Sequence, residues 1–250
     1  MSRTLKQLTF GSAYLIILAI IAGGIYFLYL KPAPSCTDNR QNQKETAIDC
    51  GGPCIPCEVK GLSPAIEEVK VFPAGNDKIT LLAKVKNPSG RYSAAFAYEF
   101  DLAGTLLPET PGLRGRALVK PQAAEYIVIP GLAASAKEVK NVNFKVGEPS
   151  WSEGGPKTPK IEISGQTNLD KERIVVTGTL ANKSAENLPL INLTAVIFDG
   201  EGNALNASVA RLEGIPAFSQ KQFVIFFPEV PGLTQNLDPQ KTQIQWDLNE

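Results

Sequence analysis

The chain has 250 residues, of which 43% are hydrophobic and 20% charged, enough to bury one large or two ordinary domain cores. Its 25 basic and 25 acidic residues balance, so no strong overall field attracts nucleic acid, and we expect no nucleic-acid partner. The chain has no histidine, which excludes His-based catalytic triads and Cys-His nucleophile pairs.

The first predicted element is a transmembrane helix over residues 10 to 30, preceded by a cytoplasmic N-terminus of residues 1 to 9. The apolar run has 21 residues without a charge, and about 20 such residues span the hydrocarbon layer of a bilayer. A cleaved signal peptide is the competing interpretation, but its apolar core is usually only ~7 to 15 residues long. Arg3 and Lys6 precede the run, so the positive-inside rule places everything from Lys31 onward outside the cell. We therefore expect a single-pass protein of the cell membrane that contacts the lipid bilayer through residues 10 to 30.

Residues 31 to 60 form a predicted Cys-rich spacer module, which contains every cysteine of the chain: Cys36, Cys50, Cys54 and Cys57. Disulfides persist outside the cell, and a polar segment this short needs them because it cannot form a hydrophobic core, so we expect the four cysteines to form two disulfides. Four cysteines allow three pairings, and the sequence does not choose among them. Zinc remains an alternative because Cys54-x-x-Cys57 has ligand spacing, although a second CxxC is missing. A redox site is a weaker alternative because no βαβ pattern follows.

Acidic and amide residues lie between these cysteines: Asp38, Asn42, Glu45 and Asp49. A calcium loop would use such oxygens, but the spacing of an EF-hand is missing, so we interpret them as turn formers and expect no metal or cofactor. The stretch resembles a short Cys-rich repeat of extracellular and surface-anchored bacterial and archaeal proteins, with the pattern C-x-D-x-x-x-N-x-x-E-T-x-x-D-C-G-G-x-C-x-x-C. Where that pattern often has glycine, this chain has Asn39, which also tolerates a left-handed backbone. The resemblance implies surface exposure.

After Lys60 the sequence changes to the short apolar-polar alternation typical of β-strands, and it repeats. Residues 79–89 match 174–184, residues 95–107 match 193–205, and residues 129–144 match 215–227. We therefore expect a duplicated domain, with β-sandwich domain 1 at 61–150, a Pro- and Gly-rich linker at 151–159 and β-sandwich domain 2 at 160–250.

The matched segments share two turn motifs. One ends in Asn87-Pro-Ser and Asn182-Lys-Ser, in which the asparagine bonds its own backbone. The other is Phe-Asp-x-x-Gly, in which Asp101 and Asp199 favour hairpin turns over a paired carboxylate site.

These segments resemble FxLyD-like domains, which are immunoglobulin-like sandwiches of bacterial and archaeal envelope proteins. Phe96, Tyr98 and Phe100 fit the strand that gives the family its name. The resemblance implies an all-β fold with two tandem immunoglobulin-like β-sandwich domains after the helix and the disulfide-rich segment. It implies no catalytic residues.

The function that the sequence predicts is non-enzymatic binding by a membrane-anchored extracytoplasmic protein whose partner is an unknown envelope or surface protein. The candidate binding residues are Arg114, Arg116 and Lys120, in a segment at 106–122 that we expect to be a long basic loop. A solvated connection or an edge strand is the alternative interpretation of that segment. The alternative functions are an envelope scaffold or spacer subunit of a membrane complex and, more remotely, an enzyme with a cryptic carboxylate site.

Overall fold

An apolar helix opens the chain in the computed structural model, which describes residues 3–27, 35–103, 113–136, 139, 141–154, 158–170 and 173–248. The helix α1 spans Arg3–Ile25, which confirms the predicted apolar helix over the part of 10–30 that is described. Its segment Lys6–Ile25 has a mean hydropathy of 2.1, and none of it is buried within the protein. These properties suit a membrane span and equally a signal sequence. The chain divides into two units, residues 1–60 and residues 61–250.

The second unit consists of β-strands, and the predicted all-β character is confirmed at this level. The strands are β1 (Ala65–Pro73), β2 (Lys78–Lys86), β3 (Tyr92–Ala103), β4 (Arg114–Val119), β5 (Ala124–Ala133), β6 (Asn141–Val146), β7 (Ser150–Glu153), β8 (Ile161–Asp170), β9 (Arg173–Asn182), β10 (Leu188–Asp199), β11 (Ala204–Ile215), β12 (Gln220–Phe226) and β13 (Leu237–Asp247).

The strands form four antiparallel sheets whose order is the same in the two halves of the unit. In the first half β1-β2-β5 faces β4-β3-β6, and β7 also pairs with β3. In the second half β8-β9-β12 faces β11-β10-β13. We call these halves the first sheet pair (β1 to β7) and the second sheet pair (β8 to β13). Each strand of the first pair up to β6 therefore has a counterpart seven strands later.

Each sheet pair encloses its own hydrophobic core, because apolar side chains alternate along the central strands. In β2 the inward set is Ile79, Leu81, Ala83 and Val85, all fully buried with Phe100 and Phe144 of the facing sheet. In β10 the inward set is Ile191, Leu193, Ala195 and Ile197, which pack with residues of β9 and β12.

The strand order confirms two of the three matched sequence segments and corrects the third. Residues 79–89 and 174–184 contain the equivalent strands β2 and β9, and residues 95–107 and 193–205 contain β3 and β10. The match of 129–144 with 215–227 is wrong, because it aligns β6 with β12, which lies in the other sheet. The error arose because a short alternating strand has the same pattern in either sheet. The true counterpart of residues 215–222 is 119–126.

The two sheet pairs pack against each other through the outer faces of β1-β2-β5 and β11-β10-β13. A third buried cluster lies between them and contains Phe72, Leu82 and Tyr126 from the first pair and Val196, Phe198, Ala204 and Ala207 from the second. The rings of Tyr126 and Phe198 are edge to face with centroids 6.3 Å apart. Asn206, which is fully buried, donates from Nδ2 to the carbonyl of Pro73 at 3.1 Å. The interface therefore joins the pairs through apolar burial and side-chain hydrogen bonds.

Part of the predicted linker belongs to the first sheet pair. Residues 150 to 153 form β7, in which Trp151 lies opposite Ala94 of β3 and packs against the first core. Residues 155 to 157 lie outside the described residues. The covalent connection between the two pairs is thus shorter than the sequence indicates.

Candidate functional site

Arg114 and Arg116 lie in the edge strand β4, which confirms the edge-strand interpretation of this part of the segment and corrects its interpretation as a loop. Arg114 lies opposite Glu99 on β3 and bonds Oε1 of that residue from Nε at 2.9 Å and Nη2 at 2.7 Å. On the same outer face Lys145 bonds Asp101 at 2.7 Å. Exposed pairs of this kind contribute little to stability, because solvent screens their charges. The predicted basic site is therefore part of a face on which charges of both signs alternate.

Lys120 lies apart from these two arginines, at the junction of the sheet pairs. Its Nζ is 5.1 Å from the centre of the Trp246 ring, which belongs to β13 of the second pair. A cation over an aromatic face contributes about 0.5 to 1 kcal/mol when exposed. The structure thus does not bring the three predicted binding residues together, and residues 106 to 112 of the predicted loop lie outside the described residues.

Two equivalent turns connect β4 to β5 and β11 to β12, and we call them turn 1 (residues 120–123) and turn 2 (residues 216–219). In turn 1 the amide of Gln122 donates to the carbonyl of Ser89 at 2.9 Å, and in turn 2 the amide of Phe218 donates to Ser184 at 3.2 Å. Both central residues have a left-handed backbone, with φ of 57° at Gln122 and 55° at Phe218. The two turns therefore have the same backbone geometry, and their central residues differ in side chain.

A buried asparagine holds each turn in place. Asn87 donates from Nδ2 to the carbonyls of Tyr92 and Val119 at 2.8 and 2.9 Å. Asn182 donates in the same way to Glu186 and Pro216 at 2.8 and 3.0 Å. Both asparagines are completely buried, so the Asn-x-Ser motif that the sequence predicts as a local turn also ties three strand ends together.

Phe218 projects from turn 2 into solvent with 73% of its surface exposed, the largest exposure among the large apolar side chains described after residue 61. A bulky residue in the left-handed region costs about 1 kcal/mol or more, and this ring gains no compensating burial. The first sheet pair carries polar Gln122 at the same position. Sequence analysis missed Phe218, although a large apolar residue within the turn sequence Pro-Ala-Phe-Ser was a usable signal.

The outer face of β12 adds two further exposed apolar residues, Val224 at 44% and Phe226 at 57%. Their neighbours across β9 are Thr177 and Val175. Arg173 lies 5.4 Å from the Phe226 ring at the end of the strand. Unlike the outer face of the first pair, the middle of this face is uncharged. The exposed outer faces of the two sheet pairs, which belong to non-equivalent sheets, therefore differ in chemistry.

A cleft of about 310 Å³ lies between the edges of β8 and β13, and its lining is uncharged: Gly165, Gln166, Thr167, Pro239, Gln240, Thr242 and Ile244. The two strand edges pack closely here: a Cβ on Gly165 would lie 2.6 Å from Ile244 Cδ1, so only glycine leaves room for the Ile244 side chain. Thr167 and Thr242 also bond each other across the cleft at 2.6 Å. We therefore assign the cleft to packing at the sheet edge.

The four predicted site cysteines form two disulfides, Cys36–Cys54 and Cys50–Cys57, which confirms the disulfide interpretation. The donor atoms of Cys36, Glu45 and Cys54 lie within 4.8 Å of one another. Disulfide sulfur is a poor metal ligand, because zinc sites need thiolates. These residues are therefore unsuited to hold zinc.

The acidic and amide residues of the Cys-rich module hold its loops together. Asp49 accepts from the amide of Asn39 at 3.0 Å, and Glu45 accepts from the amide of Asn42 at 3.1 Å. Asp38 accepts from Asn42 Nδ2 at 2.7 Å, and this hydrogen bond lowers the pKa of the Asp38 carboxyl. Asn39 has a φ of 57°, as its replacement of glycine predicts. The carboxylates that a calcium site would use are thus engaged in the fold, whereas Asn42 Oδ1 is buried without a hydrogen-bond partner.

Two glycines close this module. Gly51 has a φ of 80°, and a Cβ there would lie 2.3 Å from Thr46 Oγ1. Gly52 has a φ of 59°, and a Cβ there would lie 2.5 Å from the carbonyl of Lys44. Only glycine accommodates both the positive φ and the close neighbouring atoms at these positions. The Gly-Gly part of the Cys-Gly-Gly motif is therefore required by the backbone.

The predicted Asp-x-x-Gly turn is present in the second sheet pair. Asp199 Oδ1 accepts from the amides of Glu201 and Asn203 at 2.9 and 2.8 Å, and Gly202 has a φ of 91°. The side-chain hydrogen bond from Asn203 is the main cause that lowers the pKa of Asp199. In the first pair Asp101 bonds Lys145, and Gly104 lies outside the described residues. The aspartate of the second pair therefore has the predicted structural role.

No protein-family model matches this sequence, and comparison with curated proteins gives no match. The resemblance to FxLyD-like domains and to the Cys-rich repeat therefore stays a prediction, and the case for function rests on the geometry above.

Proposed function

We propose that this chain is a non-enzymatic, membrane-anchored extracytoplasmic protein that binds another envelope or surface protein. In this proposal α1 anchors the chain, the disulfide-closed module spaces it, and two immunoglobulin-like domains of FxLyD type present the binding surface. The duplicated strand order and the repeated Asn-x-Ser hydrogen bonds support the assignment of two related domains. The two disulfides support an oxidising compartment.

The observation that carries the binding role is Phe218. Its turn has the same backbone as the turn of Gln122, so folding alone does not require an aromatic residue there. The left-handed backbone costs free energy, and the exposed ring supplies no burial within the described structure that offsets this cost. Aromatic residues are enriched among the few side chains that dominate protein interfaces. Phe218 is therefore the residue that we assign to the partner contact.

Replacing Phe218 with glutamine should weaken partner binding without loss of the fold. The free energy of unfolding should stay within about 0.5 kcal/mol, because the ring is exposed. Loss of an interface anchor costs about 2 kcal/mol, or roughly thirty-fold in affinity. The measurement is recovery of partners after cross-linking and purification of the intact membrane-anchored protein.

The matched control is Gln122→Phe, which places an aromatic residue in turn 1. This control should leave the recovered partners unchanged. Equal recovery from wild type and Phe218→Gln, with both proteins folded, would remove the basis for the binding role.

An envelope scaffold or spacer is the second candidate, because the buried cluster between the sheet pairs joins them into one body. A spacer needs a fixed length and no exposed anchor, so Phe218→Gln should then have no effect on partners. The remote enzymatic alternative would need a site made of carboxylates. The aspartates of the repeated motif are used otherwise: Asp101 pairs with Lys145, and Asp199 accepts a hydrogen bond from the amide of Asn203 in its own turn.

Protease added to intact cells or spheroplasts should remove the part of the chain beyond residue 31 and leave the N-terminal segment. The expectation follows from Arg3 and Lys6 before the apolar run and from the positive-inside rule. Immunoblotting with antibodies to a C-terminal tag measures the loss. Complete protection of the tag in spheroplasts, with cleavage after lysis, would contradict the proposed orientation.

A further inference from the structure

A buried carboxyl group lies against the Cys36–Cys54 disulfide of the Cys-rich module. Glu45 is only 6% exposed, and its Oε1 lies 3.1 Å from Cys54 Sγ. A thiol donates a hydrogen bond across such a distance, but a disulfide sulfur carries no hydrogen. The hydrogen bonds that Glu45 accepts from other described residues go to its second oxygen. The closed bridge therefore leaves a buried carboxyl oxygen without a proton donor in the described part of the chain.

The backbone holds this carboxyl group in place. Oε2 accepts from the amide of Asn42 at 3.1 Å and from the amide of Asp49 at 3.3 Å. Rotation of the carboxyl group only exchanges its two oxygens, so one of them always faces the sulfur. A buried acceptor without a donor destabilises the state that contains it, and a charged acceptor does so more strongly. The oxidised module thus contains an unfavourable contact that its own loop does not relieve.

Reduction of the bridge supplies the missing donor. Cys54 then carries an S–H group, which donates to Oε1 from the place where the sulfur already lies. Hydrogen bonds to an ionised carboxylate are stronger than those between neutral groups, and a disulfide is reduced more easily when its reduced form is stabilised. Cys36 and Cys54 are both partly exposed, whereas Cys50 of the second bridge is 4% exposed. An external thiol therefore reaches the first bridge more readily.

We propose that Cys36–Cys54 is a site of reversible thiol–disulfide exchange with an external dithiol, and that Glu45 stabilises its reduced form. One thiolate of the dithiol attacks Cys36 Sγ, the S–S bond breaks, and Cys54 leaves and takes up a proton. The second thiol of the dithiol then attacks the mixed disulfide, closes the dithiol's own S–S bond and releases Cys36, which also takes up a proton. Two electrons pass from the dithiol to the protein.

The exchange changes the length of the proposed spacer. While the bridge is closed, the covalent path from α1 to the second unit bypasses the loop of residues 37–53. After reduction the path runs through residues 37–50 and then crosses the second bridge. The added chain extends the spacer by at most about 35 Å. This consequence rests on the proposed membrane anchor, whereas the exchange itself does not.

A redox titration of the purified full-length protein in detergent tests the assignment. The protein is equilibrated in buffers of reduced and oxidised dithiothreitol, free thiols are alkylated, and mass spectrometry of the peptides measures the alkylated fraction at each cysteine. Cys36 and Cys54 should become alkylated together while Cys50 and Cys57 stay bridged. Opening of both bridges in one step, or opening of the second bridge first, would overturn the proposal.

Glu45→Gln is the decisive variant, because the two backbone amides hold the glutamine oxygen and its NH2 group then faces the sulfur. The Cys54 thiol loses its acceptor, so the equilibrium constant for reduction should fall about tenfold, which is about 30 mV toward more negative potential. The control Asp38→Asn removes a carboxylate that bonds Asn42 in the same loop. It should change the constant less than about twofold, because solvent screens that charge. Equal potentials for the wild type and Glu45→Gln would contradict the role of Glu45.

Infrared spectroscopy measures the same hydrogen bond without a titration. Cys36→Ser leaves Cys54 as the one free thiol among the four cysteine positions while the second bridge is intact. Its S–H stretching band should lie at lower frequency than in Cys36→Ser combined with Glu45→Gln, since a hydrogen bond to oxygen weakens the S–H bond. An unchanged band would overturn the proposal. Neither experiment involves a partner or an intact membrane, so a negative result leaves the binding role of Phe218 to its own test.

Discussion

Replacing Leu82 with aspartate should cost about 4 kcal/mol or more and should separate the two sheet pairs. Leu82 is completely buried, but it belongs to the cluster between the pairs and not to either core. The substitution removes an apolar side chain from the interface and places an unpaired charge there, and both changes are costly. Each core keeps its own side chains, so we expect denaturation in two steps and a larger radius of gyration by small-angle scattering.

The control for Leu82→Asp is Gln222→Asp, which introduces the same charge on an exposed strand position. That variant should change the free energy of unfolding by no more than about 0.5 kcal/mol. If both variants unfold in one step at the wild-type midpoint, the buried cluster does not hold the pairs together.

Replacing Asn182 with alanine should destabilise the second sheet pair by about 3 kcal/mol. The change removes the hydrogen bonds that the buried amide donates to the carbonyls of Glu186 and Pro216, and the amide of Ser184 loses the oxygen that it contacts at 3.0 Å. The two carbonyls keep a hydroxyl donor each, from Ser184 and Ser219, so the cost is that of the lost hydrogen bonds, about 0.5 to 1.5 kcal/mol each. Thermal and chemical denaturation of the purified protein measures the loss.

Asn182→Asp separates hydrogen bonding from side-chain volume. The carboxylate keeps the acceptor for Ser184 but turns a charged oxygen toward two carbonyls, so it should destabilise at least as much as alanine at neutral pH. Asn168→Ala is the control, because this exposed asparagine bonds only the Thr177 hydroxyl among the contacts described. A stable Asn182→Asp variant would show that the buried amide does not tie the strand ends together.

The parts of the fold that the sequence predicted are those governed by local rules. The apolar helix follows from length and lack of charge, and the disulfides follow from four cysteines in one polar segment. Asn182 and Asp199 occupy turns because their side chains bond nearby backbone groups. None of these features depends on distant parts of the chain.

The packing between the sheet pairs is not predicted by apolar-polar alternation, because alternation indicates a strand with only one buried face, the face toward a core. Leu82, Val196 and Phe198, however, face away from their cores and are also buried. Their signal was the nearly unbroken apolar stretches Thr80 to Ala83 and Leu193 to Phe198. Such runs are typical of strands covered on both faces, although the sequence does not say what covers them.

The candidate site was predicted least well. The length and the prolines of the segment at 106–122 favour a loop, whereas pairing with β3 places Arg114 and Arg116 in an edge strand. Phe218 was missed because its exposure depends on a left-handed turn that the buried Asn182 supports from another strand. Long-range hydrogen bonding of this kind leaves no periodic signal in the sequence.

The most direct test of the account is a photo-cross-linking amino acid introduced at position 218 or at position 122 of the full-length chain in living cells. Irradiation at 218 should give a discrete protein adduct that external protease digests in spheroplasts, because we place Phe218 at an extracytoplasmic interface. Irradiation at 122, in the equivalent turn, should give no such adduct. The same adducts from both positions, or none from 218, would contradict a binding role for Phe218.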